Sequence, residues 1–137
     1  MSIDDPRVNV AEVPDGRIAV TTVTGELDVQ SAPAVYRRAL EALTRCPLMV
    51  MDLSGVTFCD SSGFNALLRL RRRAEEAGTR LALAALPGQV ARLLALTGVD
   101  TAFPVYGSLT EARTELLSAE DAGHEPRSRA FALPRTD

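Results

Sequence analysis

The segment Asp60-Ser61-Ser62-Gly63 has the clearest potential for chemistry in this sequence, because it joins a hydrophobic strand to a predicted helix. The first turn of a helix carries backbone N–H groups without intrahelical partners and the positive end of the helix dipole. A serine hydroxyl at that place can cap the helix, bind an anion or carry a phosphoryl group. The residue types leave all three roles open for Ser61, and a plain helix cap is the commonest of them.

Nucleophilic catalysis finds no support in the residues around this segment. A nucleophile elbow requires Gly-x-Ser-x-Gly, whereas Cys59 stands two residues before Ser61 and Asp60 stands two before Ser62. The single histidine, His124, lies in the charged C-terminal segment, so a catalytic triad has no base. The chain contains no lysine and therefore no P-loop. We expect that this chain is not an enzyme.

Metal binding is only weakly indicated. Asp28, Asp52 and Asp60 could approach one another at one end of a sheet, but three acidic groups alone make a poor case for a metal site. Cys46 and Cys59 show no CxxC spacing, so a zinc site lacks ligands. We expect no metal and no cofactor.

The composition is that of an ordinary globular domain. The chain has 137 residues, of which 46% are hydrophobic and 24% charged, and its net charge is -3. This mild acidity argues against a nucleic-acid binder. The run Arg69–Arg73 is expected to be a solvated helix face with the ion pairs Arg71–Glu75 and Arg72–Glu76. No apolar run approaches the roughly 20 residues of a membrane span, so we expect no membrane segment and a cytoplasmic protein.

The elements are predicted to follow the order ββαβαβαβα. This order predicts an α/β fold in which a small mixed, mostly parallel sheet begins with an N-terminal antiparallel hairpin and is flanked by four helices. Ser31 is expected to cap the first helix. The folded unit should span residues 1–118, and residues 119–137 are predicted to form a disordered C-terminal tail.

The helix predicted from Ser61 to Ala77 has one obvious apolar stripe for the core. Phe64 and Leu68 lie off that stripe, on the side of the helix that carries Ser61. Exposed there, the two side chains would form a docking patch for a partner. Covered by a neighbouring helix or loop, they would belong to the core, and the sequence supports both alternatives equally.

From residue 8 to residue 117 the sequence resembles the anti-sigma factor antagonists, which are single-domain proteins of the STAS class. The resemblance rests chiefly on the long and specific block from Asp52 to Gly63. Gly25-Glu26-Leu27-Asp28 and Leu96-Thr97-Gly98-Val99 add further support. The element order above also agrees with the fold of that family.

The resemblance implies a partner switch that phosphorylation controls. In such proteins the serine directly after the aspartate is the phosphosite, which here is Ser61. An anti-sigma factor that is itself a serine kinase phosphorylates this residue with its own ATP and magnesium, and a PP2C-type phosphatase removes the group. The unphosphorylated antagonist, a monomer when free, binds the kinase and frees the sigma factor. We expect the docking surface to comprise the residues around the phosphosite: Asp28, Asp60, Ser61, Ser62, Gly63, Phe64 and Leu68.

Elementary electrostatics predicts how such a switch would act. A phosphoryl group adds nearly two negative charges at the helix N-terminus, where the dipole favours an anion by roughly 0.3–1 kcal/mol. The helix should therefore survive phosphorylation. Beside Asp60 the dianion should repel an acidic or apolar partner surface, so we expect release by charge and bulk and not by refolding.

Two other functions stay open. The chain could be a non-switching module of the same fold, acting as a scaffold or as a subunit of a lipid or anion transporter. It could also bind a small ligand or nucleotide, with the N-terminus of the Ser61 helix as the anion site.

Overall fold

The computed structural model of the protein describes residues 8–15, 17–97 and 103–122. The elements in these residues are, in order, β1 (Val8–Asp15), β2 (Ile18–Leu27), α1 (Ala32–Leu43), β3 (Leu48–Cys59), α2 (Ser61–Ala77), β4 (Arg80–Ala84), α3 (Gly88–Thr97), β5 (Val105–Tyr106) and α4 (Leu109–Ala122). The predicted order of strands and helices is confirmed. The Gly98-Val99 part of the predicted family motif lies outside the described residues.

Within the described residues, five strands form one sheet in the order β1-β2-β3-β4-β5. β1 pairs with β2 in the antiparallel sense, with Asp15 opposite Ile18. The other three neighbouring pairs are parallel, and a helix connects the strands of each. The predicted fold class, a small and mostly parallel sheet flanked by four helices, is confirmed.

Helices cover both faces of this sheet. On one face α1, α2 and α3 pack through apolar side chains such as Val35, Leu67 and Leu94. On the opposite face α4 packs through Leu116. β3 is consequently buried on both sides over Leu48–Met51, which explains why its sequence barely alternates between apolar and polar residues.

β3 extends well beyond its neighbour β4. The pairing with β4 ends at Asp52, opposite Ala84, whereas the pairing with β2 continues to Cys59, opposite Leu27. Two register shifts interrupt the ladder between β2 and β3 along this extension, and the second leaves Thr57 without an opposite residue. The carboxyl ends of β2 and β3 therefore project together past the rest of the sheet.

The arginine-rich face of α2 carries ion pairs between neighbouring turns. The predicted pair Arg71–Glu75 is confirmed. Glu76 pairs with Arg73 at 3.7 Å, and the predicted partner Arg72 is wrong, because the contact forms at a spacing of three residues. These side chains are largely solvated, so each pair contributes little to stability.

The last helix ends later than the sequence indicates. α4 continues to Ala122, so residues 119–122 are helical although the predicted tail begins at 119, and Ala119 is buried. The remainder of the predicted tail, residues 123–137, lies outside the described residues. Among the helices that the structure describes, none has the length and apolar character needed to cross a membrane.

One buried polar atom provides a test of this core. Thr21 on β2 is fully buried, and its hydroxyl finds no hydrogen-bond partner within the described part of the chain. Thr21→Val replaces that hydroxyl with a methyl group of the same shape and should raise the free energy of unfolding by about 1 kcal/mol. Chemical denaturation measures the change. Thr24→Val, at an exposed position of the same strand, is the matched control and should stay within about 0.5 kcal/mol. A destabilised Thr21→Val protein would contradict this account of the core.

Candidate functional site

The candidate site lies directly after the last paired residues of β2 and β3. Leu27 and Cys59 are the last residues opposite each other, and the N–H of Asp60 donates to the carbonyl oxygen of Leu27 at 3.1 Å. The next residues along the two strands are Asp28 and Asp60. Parallel neighbours end at the same edge of a sheet, so the structure brings these two predicted site residues together beside Ser61.

The carboxylate of Asp60 caps α2. Asp60 has extended backbone angles, and its Oδ1 accepts the N–H groups of Ser62 at 2.8 Å and Gly63 at 3.2 Å. Its carbonyl oxygen accepts the N–H of Phe64 at 3.0 Å, which is the first bond of the helix. The N-terminus of α2 is therefore held by Asp60, and Ser61 is the first residue inside the helix.

Ser61 is exposed, and the alternative in which it serves as the helix cap is wrong. The reason is that the aspartate before it already accepts the N–H groups that a cap would take. Within the described residues the Ser61 hydroxyl has no hydrogen-bond partner that would tie it to the fold. The hydroxyl thus stands at the positive end of α2 and faces solvent.

The side chain of Asp28 holds the turn that precedes α1. Its Oδ1 accepts the N–H groups of Gln30 at 3.0 Å and Ser31 at 3.1 Å. The hydroxyl of the buried Ser31 accepts the N–H of Asp28 at 2.9 Å and donates to the carbonyl oxygen of Glu26 at 2.6 Å. Ser31 takes the N-cap position of α1, as expected, but its side chain makes no capping bond to the helix and reaches back toward β2 instead.

Gly63 lets α2 approach the ends of the strands. A Cβ atom at this position would lie 2.6 Å from Cγ and 2.7 Å from the carbonyl oxygen of Leu27, and 3.1 Å from Sγ of Cys59. These distances leave no room for a side chain. Gly63 is buried, which contradicts its predicted place on the docking surface, while Ser62 is half-buried.

For Phe64 and Leu68, the structure supports the alternative in which neighbouring elements cover them. Phe64 is only 6% exposed and belongs to the core, and Leu68 is half-buried and packs against that core. The cause is that α2 contacts α1 as well as the sheet, so it buries a wider face than the single stripe on which the prediction relied. Phe64 and Leu68 are therefore not an apolar patch open to solvent.

Two other apolar side chains are exposed at this edge and were missed. Val29, directly after Asp28, is 67% exposed, and Phe58, two residues before Asp60, is 42% exposed. Strict alternation along β3 would have buried Phe58 together with Val56, but the register shift at Thr57 turns it outward. No local sequence signal reveals that shift. For Val29, its position among polar residues of a turn was a usable signal.

Three carboxylate side chains lie at the edge of the sheet that carries Ser61. Glu26, Asp28 and Asp60 all lie at this edge of the sheet. Burial, followed by the negative charge of Asp60, raises the pKa of the Cys59 thiol from its ordinary 9.0 to about 11. The thiol is thus protonated at neutral pH and unsuited to act as a nucleophile.

In the part of the chain that the structure describes, no three Asp, Glu, Cys or His side chains cluster closely enough to hold a metal ion.

One polar contact at the site could not be predicted from the sequence. The side-chain oxygen Oε1 of Gln89, near the start of α3, accepts the backbone N–H of Cys59 at 3.0 Å. The two residues are 30 positions apart. Only the folded arrangement brings them together, so no spacing rule could have found the pair.

Comparison with known proteins agrees with this fold. The sequence pattern of the STAS domain family matches residues 9–112, so the chain belongs to the STAS domain family. An anti-sigma F factor antagonist from Paenibacillus polymyxa is 30% identical over 101 residues, which cover 72% of this chain and 86% of that protein. The predicted resemblance to the anti-sigma factor antagonists is therefore confirmed.

Two solved structures illustrate how widely the fold is used. The crystal structure of an anti-sigma factor antagonist from Mycobacterium paratuberculosis superimposes with a TM-score of 0.70 at 29% identity, over 81% of this chain and 96% of that one. A sulfate transporter family protein from Wolinella succinogenes gives a TM-score of 0.68 at 18% identity, over 86% and 99% of the two chains. At the lower identity the similarity shows the fold alone.

Stability measurements can test whether Asp60, and not Ser61, caps α2. Asp60→Ala should lower the free energy of unfolding by about 1 kcal/mol, because two N–H groups at the start of α2 lose their acceptor. Asp60→Asn keeps an acceptor oxygen and should retain most of that stability. Ser61→Ala should change it by less than about 0.5 kcal/mol. Urea denaturation of the three variants decides the matter, and a Ser61→Ala cost equal to that of Asp60→Ala would make Ser61 the cap.

Proposed function

We propose that this protein is an anti-sigma factor antagonist that acts by binding and carries out no catalysis. In the unphosphorylated state it binds an anti-sigma factor serine kinase and so frees the sigma factor. Phosphorylation of Ser61 by that kinase ends the binding, and a PP2C-type phosphatase restores it. ATP and magnesium belong to the kinase. Membership of the STAS domain family and the relative named an anti-sigma F factor antagonist support this proposal.

The observation that carries the proposal is the separation of two roles in adjacent residues. Asp60 makes the capping bonds to Ser62 and Gly63, while the exposed hydroxyl of Ser61 makes none. Ser61 can therefore gain and lose a phosphoryl group without removing an interaction on which α2 depends. A residue that held the helix would make a poor switch, because its modification would cost stability each time.

The charges at the site support release by repulsion. A phosphoryl group at Ser61 brings nearly two negative charges next to Asp60 and to the edge of the sheet that carries Asp28. The positive end of α2 offsets part of this, by roughly 0.3–1 kcal/mol. A docked partner meets the remaining charge, and like charges across an interface cost several kcal/mol, which is on the order of a thousandfold in affinity.

The exposed side chains suggest which residues the kinase contacts. Val29 and Phe58 provide exposed apolar area at the same edge of the sheet as Ser61, and Asp28 and Asp60 provide negative charge. This combination suits a partner surface with an apolar centre and basic neighbours. The buried Phe64 would contribute through its packing in the core and not by direct contact.

The switch can be tested with the wild-type protein, Ser61→Ala and Ser61→Asp as baits in a lysate of the native host. Ser61→Ala should capture a protein with an ATPase-type kinase domain, and Ser61→Asp should not, because its negative charge mimics the phosphoryl group. Mass spectrometry identifies the captured protein. Purified, it should transfer the γ-phosphoryl group of ATP to the wild type and to the control Ser62→Ala, but not to Ser61→Ala.

Equal capture of one partner by all three baits would support a non-switching scaffold or transporter subunit in place of the antagonist. Failure of every bait, together with a rise of the melting temperature on addition of ATP, GTP or inorganic phosphate, would support a small-ligand binder.

The docking surface can be tested separately, once the kinase is in hand. Phe58→Ala should weaken binding about tenfold or more, because a large apolar side chain at the centre of an interface carries much of its energy. Leu96→Ala is the matched control, since Leu96 is 78% exposed but lies at the end of α3. Calorimetry should find its affinity unchanged. A loss of affinity in Leu96→Ala with none in Phe58→Ala would locate the docking surface elsewhere.

A further inference from the structure

Among the residues that the structure describes, no strand pairs with the last residues of β3 on the side away from β2. β4 pairs with β3 only as far as Asp52, so the backbone groups of β3 that point away from β2 beyond that residue need other partners. Cys59 is buried, which makes an unpaired N–H there costly. The side-chain oxygen of Gln89 accepts this N–H at 3.0 Å and takes the place of a strand.

The segment before Ser61 is consequently held from two sides. The N–H of Asp60 donates to Leu27 on β2, and the N–H of Cys59 donates to Gln89 on α3. Successive residues of a strand direct their N–H groups to opposite sides. The two hydrogen bonds therefore hold the chain from opposite sides. They fix the backbone immediately before the exposed hydroxyl.

The turn that leads into α3 is itself well determined. Ala85 adopts a φ of 55°, a conformation that alanine rarely takes, and its N–H donates to the carbonyl oxygen of Tyr106 at 2.9 Å. This bond ties the turn to β5. Gln89 therefore extends from a fixed point of the fold and not from a loose loop.

We infer that Gln89 is a positioning residue for Ser61, because its side-chain oxygen holds the end of β3 and thereby the backbone that presents the hydroxyl. Through this contact α3 is coupled to the phosphosite. The effect on the rate of phosphorylation rests on the function proposed above, whereas the effect on the backbone does not.

The test compares Gln89→Met, which keeps the length of the side chain and removes the acceptor, with Gln89→Glu, which keeps an acceptor oxygen. Hydrogen exchange of the free protein, followed by NMR, reports on the Cys59 amide directly. In Gln89→Met this amide should exchange about tenfold faster or more, and the amide signals of Ser61 and Ser62 should shift. Gln89→Glu should restore both. Arg92→Met, an exposed position one turn along α3, is the control and should change neither.

Unchanged exchange at Cys59 in Gln89→Met, or equal acceleration in Gln89→Met and Gln89→Glu, would overturn the inference. So would faster exchange at Cys59 without any shift at Ser61 and Ser62, because the hydroxyl would then be positioned by other contacts. With the kinase, kcat/KM for Ser61 should fall several-fold in Gln89→Met and recover in Gln89→Glu. If no kinase phosphorylates the wild type, the proposed function fails, and the exchange measurements still decide the role of Gln89.

Discussion

The hydrogen bonds from the Ser62 and Gly63 amides to the carboxylate of Asp60 are the interaction on which the site depends. Through them the N–H groups at the start of α2 find an acceptor on a residue that lies just outside the helix. Within the described residues, the hydroxyl of Ser61 makes no hydrogen bond that stabilises the fold. A modification at Ser61 can therefore change the surface of the protein while the helix beneath it persists. The STAS domain fold provides a well-held edge on which such a change would occur.

This edge is held by contacts that reach it from three elements. Leu27 of β2 accepts the N–H of Asp60, and Gln89 of α3 accepts the N–H of Cys59. Gly63 of α2 lies against Leu27 so closely that a side chain would not fit. The bond to Leu27 continues the pairing of β2 with β3, whereas Gln89 and Gly63 make their contacts from helices. The site is built where the regular ladder stops, and Ser61 is exposed there.

Much of this arrangement could be predicted from the sequence, and the exceptions have a common cause. The order of elements, the parallel sheet and the position of Asp60 and Ser61 at a helix start follow from local patterns that the structure preserves. The burial of Phe64, the exposure of Phe58 and the contact made by Gln89 could not be predicted in this way. Their surroundings depend on α1 packing against α2, on a register shift opposite Gly25 and on a contact across 30 residues. Local periodicity carries no information on such long-range contacts.

The central claim is that phosphorylation alters the surface at Ser61 and leaves the fold intact. The most direct measurement is the amide NMR spectrum of the protein with phosphoserine incorporated at position 61, compared with that of the unmodified protein. We expect changes confined to residues 58–68, with the Ser62 and Gly63 amides still protected from exchange by Asp60. Shifts spread through α1, α3 and the sheet, or loss of protection at Ser62 and Gly63, would show that phosphorylation acts by refolding and would contradict the account.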